Sequence, residues 1–281
     1  MGKPEIIYED NDIIVSYKSA GIATQTRRIG QQDMESLIRN YRAAKNEPPY
    51  VGIVHRLDQP VEGVMVFAKN QKAAASLSRQ IKEHTTEKYY YAASYGSGST
   101  NNDDNPSENK KAAVLDTQTL IDYIAFDKRN NTSKITTAKD PQAKKAVLEY
   151  KIIPVTGSDN DISGNEKTDE RTEESTNKSI TEIADDKIAY GRAGYRNETE
   201  LDKHNTKVIF DIKLLTGRHH QIRLQFANIG WPLIGDTKYG RSREKKQLAL
   251  CSYKIVIDHP VTGKRMAFEI EPKNPVLSRK K

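Results

Sequence analysis

The chain has 281 residues, of which 36% are apolar and 30% are charged, and its formal net charge is +7. This composition suits a soluble protein, and no apolar run approaches the roughly 20 residues that a membrane-spanning helix needs. The N-terminus lacks the basic start and apolar core of a secretory signal, so we expect a cytoplasmic protein. Cys251 is the only cysteine, which excludes an intramolecular disulfide and a thiolate metal site.

The charge is distributed unevenly along the chain. Residues 157–186 carry 10 acidic and 3 basic side chains, a net charge of −7, so the remaining residues together carry +14. A body this basic favours a polyanionic partner, nucleic acid first. On charge alone, a basic surface with no such partner is an equally good interpretation.

Hydrophobic spacing in the first third predicts alternating strands and helices. The predicted order is a hairpin around residues 10–12, a helix from Gln31 to about Asn46, a strand from Gly63 to Asn70, a helix with Ala73, Leu77 and Ile81 on one face, and a strand at "KYYYAASYG".

Two segments are too poor in apolar residues to offset the entropy of ordering them. We predict flexible polar segments at about 97–112 and 157–186. We expect them to interrupt a single domain of residues 1–275 rather than divide it, and to be followed by a basic tail at 276–281. The acidic 157–186 segment should project away from any cleft that binds a polyanion.

The remaining segments predict further strands and one helix. Strands are predicted at "LIDYIAFDK", "KAVLEYKII" and "KVIFDIKLL", a helix follows with Ile222, Phe226 and Ile229 on one face and Gly230 at its C-cap, and a hairpin joins "LALCSYKIVI" to "KRMAFEIE". Strands in hairpin order with a few helices indicate an α+β fold, with a mixed, largely antiparallel central sheet flanked by helices.

Three clusters contain residues that could carry chemistry: "HRLD" at 55–58, the tyrosines at 89–91, and "TGRHHQIR" at 216–223. Arg56, Arg218 and Arg223 are basic neighbours available to Asp58. A carboxylate paired with an arginine stays ionised, which suits a nucleophile or a general base. A structural ion pair has the same signature, so this pairing alone leaves both interpretations open.

The tyrosines and histidines also have two interpretations each. Three successive tyrosines in a strand alternate faces, so Tyr89 and Tyr91 point one way and Tyr90 the other. One side belongs to the core, and the opposite side could stack on a base. His219 and His220 open a helix without accompanying carboxylate or cysteine ligands, which favours a polar helix start or RNA-facing donors over a metal site.

Three motifs together resemble the RluA-type pseudouridine synthases. "HRLDQPVEGVMVFAK" is similar to the His-Arg-Leu-Asp motif of that family, "KYYYA" to its Lys-x-Tyr-x-Ala motif, and "LLTGRHHQIRLQFANIGWPLIGDTKYG" to its third motif. The motifs occur in the family's order, and the likeness covers most of residues 4–96 and 206–270. A lone "HRLD" would be weak evidence, whereas three ordered motifs are strong.

The resemblance implies isomerisation of uridine to pseudouridine in structured RNA, ribosomal or transfer RNA, without metal or cofactor. It implies that Asp58 is the catalytic carboxylate, that Arg223 holds this carboxylate charged, and that Tyr90 stacks on the extruded uracil. Contacts to RNA would come from basic or polar residues of the same motifs: His55, Arg56, Lys88, Arg218 and His219. We expect a monomer whose partner is RNA and not a membrane.

The chain also departs from the family pattern. Val61 and Glu62 stand where a Thr-Ser pair is common, and Ser19 where a proline usually follows Lys18, which puts local RNA contacts in doubt. The catalytic pattern begins within ten residues of the start, so we expect no N-terminal RNA-binding domain of the S4 kind.

Two other functions compete with this interpretation. A catalytically silent RNA-binding protein on the same fold would not need Asp58, Tyr90 and Arg223 to be intact. Another base-directed enzyme, a nucleoside hydrolase or a deaminase, is the third hypothesis. The deaminase is disfavoured because its zinc-binding signature is absent from the sequence.

Overall fold

The computed structural model describes residues 2–26, 28, 30–95, 116–153, 207–240 and 246–278. The two segments predicted to be flexible, at 97–112 and 157–186, lie outside the described residues, as do residues 279–281 of the predicted basic tail. None of the helices in the described ranges is long and apolar enough to cross a membrane.

The described chain contains strands, three α-helices and a short 3-10 helix. The strands are β1 (Glu5–Glu9), β2 (Ile13–Lys18), β3 (Gly52–Ile53), β4 (Glu62–Ala68), β5 (Glu87–Tyr95), β6 (Gln118–Asp127), β7 (Thr132–Thr136), β8 (Lys144–Ile153), β9 (Lys207–Leu214), β10 (Leu250–Asp258) and β11 (Arg265–Glu269). The helices are α1 (Met34–Ala44), α2 (Gln71–Lys82) and α3 (Gln221–Asn228), and the 3-10 helix is Pro275–Leu277.

These strands form one sheet in the order β1-β2-β4-β10-β5-β9-β8-β6-β7, with β11 beside β10 and β3 beside β4. Within the described ranges β4 and β10 are the parallel pair, and the other neighbours are antiparallel. The predicted mixed, largely antiparallel α+β fold is therefore confirmed. The boundaries of the single domain stay a prediction, although strands from both sides of each undescribed segment belong to this sheet.

The helices cover both faces of the sheet. Alternate residues of a strand point to opposite faces, and in β4 Met65 packs in the cluster that contains α1 and α3, whereas Val66 packs in the cluster that contains α2. Helix α1 begins after Asp33, whose carboxylate accepts the N–H of Ser36 at 2.8 Å as an N-cap. Because Asp33 caps its N-terminus, α1 begins later than the predicted start at Gln31, and it ends at Ala44, before the predicted end at about Asn46.

Three details differ from the hydrophobic pattern, and one of them is the two-residue strand β3, which was not predicted. Strand β7 was not predicted, because its five residues "TSKIT" contain one large apolar side chain. In α2, Ala73 and Leu77 are buried, whereas Ile81, which is predicted to share their face, is half-buried and lines a pocket.

Gly63 lets β4 approach β10 closely. The two strands pair over two positions, with Cys251 opposite Glu62 and Ser252 opposite Gly63. Gly63 has a φ of +143°, and a Cβ atom there would collide with the backbone of Ser252. The glycine that follows "HRLD" is therefore required by the close approach of backbone to backbone.

A buried lysine anchors the loop that carries Asp58. Lys18, which is 0% exposed, donates from Nζ to the carbonyl oxygens of Ser19 (3.1 Å), Ile22 (2.6 Å) and Gln59 (3.1 Å). Burial lowers the pKa of Lys18 to about 8, although the charges of Asp58 and Glu62 act in the opposite direction. The end of β2 is thereby tied to the loop between β3 and β4.

Replacing this ammonium should destabilise the protein. Lys18→Met keeps much of the apolar stem but leaves three carbonyl oxygens without their donor, so we expect the free energy of unfolding to fall by about 1–3 kcal/mol. Urea unfolding measures this change. Lys72→Met, at an exposed position of α2, is the matched control and should change little; equal effects of the two substitutions would contradict the anchoring role.

Candidate active site

A pocket of about 660 Å³ brings the sequence motifs together. Seven of the eight residues that the sequence predicted for the site line it: His55, Arg56, Asp58, Lys88, Tyr90, Arg218 and Arg223. The eighth, His219, does not line the pocket but lies against its wall, as described below. Segments far apart in the chain therefore share one cavity.

Asp58 lies in the loop between β3 and β4, which is held by hydrogen bonds on both sides. Thr24 Oγ1 accepts the N–H of Leu57 at 3.1 Å and donates to its carbonyl oxygen at 2.9 Å. The side chain of Asp58 is 32% exposed, and its Oδ2 lies 3.7 Å from Nη1 of Arg223. Asp58 is thus fixed through its backbone while its carboxylate remains open to the pocket.

Three arginines of the sequence motifs could form an ion pair with Asp58, and in the described structure one of them does. Arg223 lies within ion-pair distance, whereas Arg56 is exposed and Arg218 donates from Nε to the carbonyl oxygen of Lys145 at 2.9 Å. The expectation that Arg56 and Arg218 could pair with Asp58 is therefore wrong. Proximity within a motif does not fix the direction in which a long side chain extends.

Arg223 is oriented by a partner that sequence reasoning missed. Its Nε and Nη2 donate to the two carboxylate oxygens of Asp236 at 2.8 and 2.7 Å, and both side chains are buried. Burial alone would raise the pKa of Asp236, but the hydrogen bonds and charge of Arg223 hold it below its usual value. This bidentate geometry leaves Nη1 of Arg223 directed to Asp58.

The backbone around Asp236 explains why this carboxylate can be buried. Its Oδ1 also accepts the N–H groups of Lys238 at 2.9 Å and Tyr239 at 3.1 Å. The preceding Gly235 has a φ of +76°, and a Cβ atom there would collide with the backbone of Gln247. The only sequence signal for Asp236 was its place in "GDTKYG", at the end of the third motif.

Tyr90 projects into the pocket, and its strand neighbours belong to the opposite face. Tyr91 stacks on Tyr253 with ring centroids 3.8 Å apart and an interplanar angle of 4°, within a separate core cluster. The predicted alternation of the three tyrosines is confirmed. Burial raises the pKa of Tyr90; a hydrogen bond with Ser252 lowers it, and the negative charge of Asp58 raises it further. Tyr90 therefore keeps its phenolic proton at neutral pH.

His220 precedes α3 in a left-handed conformation, with a φ of 55°. Its Nε2 lies 3.5 Å from Oδ2 of Asp58, and its Nδ1 is 2.8 Å from the hydroxyl of Tyr239. Burial and the nearby charge of Arg223 lower the pKa of His220 to about 3. A neutral imidazole therefore lies beside the carboxylate at neutral pH.

His219 and His55 have protein partners as well. His219 packs its ring 3.7 Å from that of His220 and places Nδ1 2.9 Å from Oγ of Ser133. His55 Nε2 accepts the N–H of Val66 at 3.0 Å, and burial together with the charge of Lys88 lowers the pKa of His55 to about 3. One nitrogen of each ring is therefore occupied by a structural contact.

Lys88 contributes a positive charge to the pocket. It is half-buried, burial lowers its pKa, and it forms no ion pair with any residue in the described ranges. Such a cation is available to an anionic group of a bound molecule.

The two departures from the family pattern have different surroundings. Val61 is buried and lines the pocket. Glu62 is also buried and accepts hydrogen bonds from the hydroxyl of Tyr17 at 2.6 Å and the N–H of Asn274 at 3.0 Å. Glu62 therefore connects β4 to β2 and to the C-terminal segment.

One group of potential metal ligands in the described part of the chain lies outside the pocket. Asp10, Asp12 and His259 bring ligand atoms within 4.8 Å of one another. Asp10 Oδ1 already accepts the N–H groups of Asp12 and Ile13 at 2.8 Å, and its Oδ2 contacts His259 Nε2 at 2.9 Å. These contacts tie the β1–β2 turn to the β10–β11 turn, which accounts for the cluster without a metal.

Comparison with known proteins identifies the family. The model for the RNA pseudouridylate synthase family matches residues 12–228. The chain belongs to this family. It is 28% identical over 270 residues to a protein of Bacillus subtilis named "Uncharacterized RNA pseudouridine synthase YhcT", covering 95% of this chain and 68% of the relative. It is 27% identical to "Ribosomal large subunit pseudouridine synthase D" of Vibrio cholerae, covering 94% and 65%.

A solved structure shows the same fold. The "Human RNA Pseudouridylate Synthase Domain Containing 1" superposes with a TM-score of 0.60 at 18% sequence identity, covering 96% of this chain and 84% of that one. The resemblance read from the three motifs is confirmed, and with it the reaction class, isomerisation of uridine in RNA.

Removing the charge of Asp236 should disturb both stability and the site. Asp236→Asn leaves the buried Arg223 without its counter-ion, and we expect a loss of about 3–5 kcal/mol in the free energy of unfolding. Glu5→Gln, which breaks the exposed pair with Lys273, should cost at most about 1 kcal/mol. Urea unfolding of both variants checks this, and a loss at Asp236 no larger than at Glu5 would be inconsistent with the pairing.

His220 should make stability depend on pH. The unfolded histidine, with a pKa of about 6.5, binds a proton that folded His220 accepts only near pH 3. The free energy of unfolding should therefore fall as the pH is lowered below about 6.5. Between pH 7 and pH 5 we expect wild type to lose about 1–2 kcal/mol more than His220→Asn, in which asparagine tolerates the left-handed backbone. Equal losses in urea unfolding would refute this.

Proposed function

We propose that the protein converts uridines of ribosomal or transfer RNA to pseudouridine with Asp58 as the catalytic carboxylate. The observation that carries this proposal is the placement of Asp58, which is partly exposed in a pocket lined by Tyr90 and Arg223. A half-exposed carboxylate next to buried cationic and aromatic groups is unlike a surface ion pair. It matches the requirement for an anion beside a bound base.

The reaction needs no oxidant, reductant or added group. The bond between N1 of uracil and C1′ of ribose breaks, the ring turns, and a bond forms between C5 and C1′. C5 loses a proton and N1 carries one in the product, so atoms and electrons balance within the nucleotide. Asp58 can attack the sugar, attack the ring or remove the C5 proton, and each of these steps requires its ionised form. We accordingly propose that no metal or cofactor takes part.

Arg223 holds this carboxylate in position. Nη1 of Arg223 lies 3.7 Å from Asp58, while its other donors are held by Asp236. Because Asp236 prevents Arg223 from forming a bidentate pair with Asp58, the carboxylate retains oxygens that are available to the substrate.

Tyr90 faces the uracil once the nucleotide has left its helix. An enzyme that acts on a base inside a folded RNA must first extrude it into a pocket. The ring of Tyr90 can stack on the uracil, and its protonated hydroxyl can donate a hydrogen bond.

RNA contacts come from the rim and wall of the pocket. Lys88 and the exposed Arg56 present cations without a carboxylate partner in the described structure, and they suit phosphate groups of the target nucleotide. Arg218, His55 and His219 also contact the RNA in this proposal, and each is held in place by a bond to the protein. We further propose that the protein acts as a cytoplasmic monomer.

The catalytic role of Asp58 is tested by its isosteric replacement. Wild type incubated with ribosomal and transfer RNA from cells lacking the gene should form pseudouridine at defined positions, mapped by chemical labelling. Asp58→Asn removes the charge and should reduce the rate at least about 100-fold. Asp116→Asn, at an exposed position, should match wild type.

Two results would contradict the proposal. Wild type that forms no pseudouridine in any of these RNAs would indicate the catalytically silent RNA-binding protein. An Asp58→Asn variant as fast as wild type would show that another group supplies the carboxylate.

A further inference from the structure

A row of three aromatic rings leads from Asp58 to the surface of the β6–β7 hairpin. His220 is 3.5 Å from Asp58, the ring of His219 lies 3.7 Å from that of His220, and the ring of Phe126 lies 4.3 Å from that of His219. Phe126 is 39% exposed. The last ring of the row therefore presents apolar surface to solvent beside the pocket.

The position of Phe126 is set by the sheet and by the start of α3. Phe126 is directly opposite Ser133 in the β6–β7 ladder, and side chains of such a pair lie on the same face. Ser133 Oγ contacts Nδ1 of His219 at 2.9 Å, and the N–H of Ser133 donates to the hydroxyl of Tyr239 at 2.8 Å. The exposed ring is thus held in place before any ligand arrives.

The surface around this ring is positively charged. Three exposed cations near this ring form no ion pair with the described part of the chain: Lys128 and Arg129 in the β6–β7 turn, and Lys144, which is opposite Ile124 on the same face of the sheet as Phe126. Three acidic groups of the same region accept hydrogen bonds within the protein. Asp127 accepts the N–H of Arg129 at 2.9 Å, Asp122 accepts a hydrogen bond from Gln225 at 2.7 Å, and Asp140 accepts the N–H of Gln142 at 2.9 Å.

We propose that Phe126 is a stacking platform for an unpaired base of the RNA substrate, close in sequence to the target uridine, with the neighbouring phosphates on these cations. This inference rests on the proposed function. An aromatic ring surrounded by cations matches a nucleotide, which offers a flat base and an anionic phosphate. Extrusion of the target uridine also leaves its neighbours without a stacking partner. Because Phe126 lies beside the pocket, the protein would then favour target uridines that have an unpaired neighbouring base.

A fluorescent RNA tests the platform independently of catalysis. The probe is an eleven-nucleotide RNA of adenosines with one central uridine and 2-aminopurine on its 3′ side, and a second probe carries 2-aminopurine on the 5′ side. Wild type should quench one of the two probes on binding. Phe126→Ala should weaken binding about 5- to 100-fold and abolish the quenching, and Phe126→Tyr should restore both.

Two further variants separate stacking from other effects. Ile121→Ala removes an exposed apolar side chain from the opposite face of β6 and should bind and quench like wild type. Phe126→Leu keeps apolar volume without an aromatic face and should lose the quenching, which decides the question even if Phe126→Ala folds poorly.

The possible outcomes distinguish the platform from the catalytic proposal. Quenching and affinity in Phe126→Ala and Phe126→Leu equal to those of wild type would overturn the platform while leaving pseudouridine formation intact. Asp58→Asn should quench the probe as wild type does, because stacking does not require the carboxylate. Failure of wild type to form pseudouridine in cellular RNA would overturn the proposed function whatever the quenching shows.

Discussion

The site depends on the buried ion pair between Arg223 and Asp236. Burying either charge alone would be costly, and two parallel hydrogen bonds at 2.8 and 2.7 Å compensate for the lost hydration of both. The pair also fixes the direction of the guanidinium, so that its remaining nitrogen faces Asp58. Gly235 and the backbone N–H groups of Lys238 and Tyr239 support this geometry. The electrostatics at Asp58 therefore depend on a segment far from it in the chain.

The sheet brings the other parts of the site to the same place. Strand β5 presents Tyr90 and Lys88 on one face, while Tyr91 packs into the core on the other. The loop before β4 carries Asp58 and is anchored by Lys18 and Thr24. Because these anchors are backbone contacts, the carboxylate itself remains free to meet substrate. Rigid strands and an anchored loop thus position the carboxylate of Asp58, which must be exposed in order to react with the substrate.

Much of this arrangement could be predicted from the sequence, and the remainder depended on three-dimensional pairing. Hydrophobic spacing located most strands and the three α-helices of the described chain, and motif order indicated that Asp58, Tyr90 and Arg223 meet. Neither signal specifies the direction in which a side chain extends. Arg56 and Arg218 were therefore wrongly considered as partners of Asp58. For the same reason, Asp236 was missed as the partner of Arg223. Strand β7 escaped detection because its pairing with β6 compensates for a weakly apolar sequence. The contact of Phe126 with His219 joins residues 93 positions apart, which no local pattern records.

A double-mutant cycle tests most directly whether Arg223 and Asp236 act on Asp58 as one unit. The rates of pseudouridine formation would be compared for wild type, Arg223→Met, Asp236→Asn and the double variant, at equal concentrations of folded protein. If Asp236 acts by orienting Arg223, the double variant should lose no more activity than Arg223→Met alone. Losses that multiply in the double variant, or an Asp236→Asn variant with wild-type activity, would contradict this account.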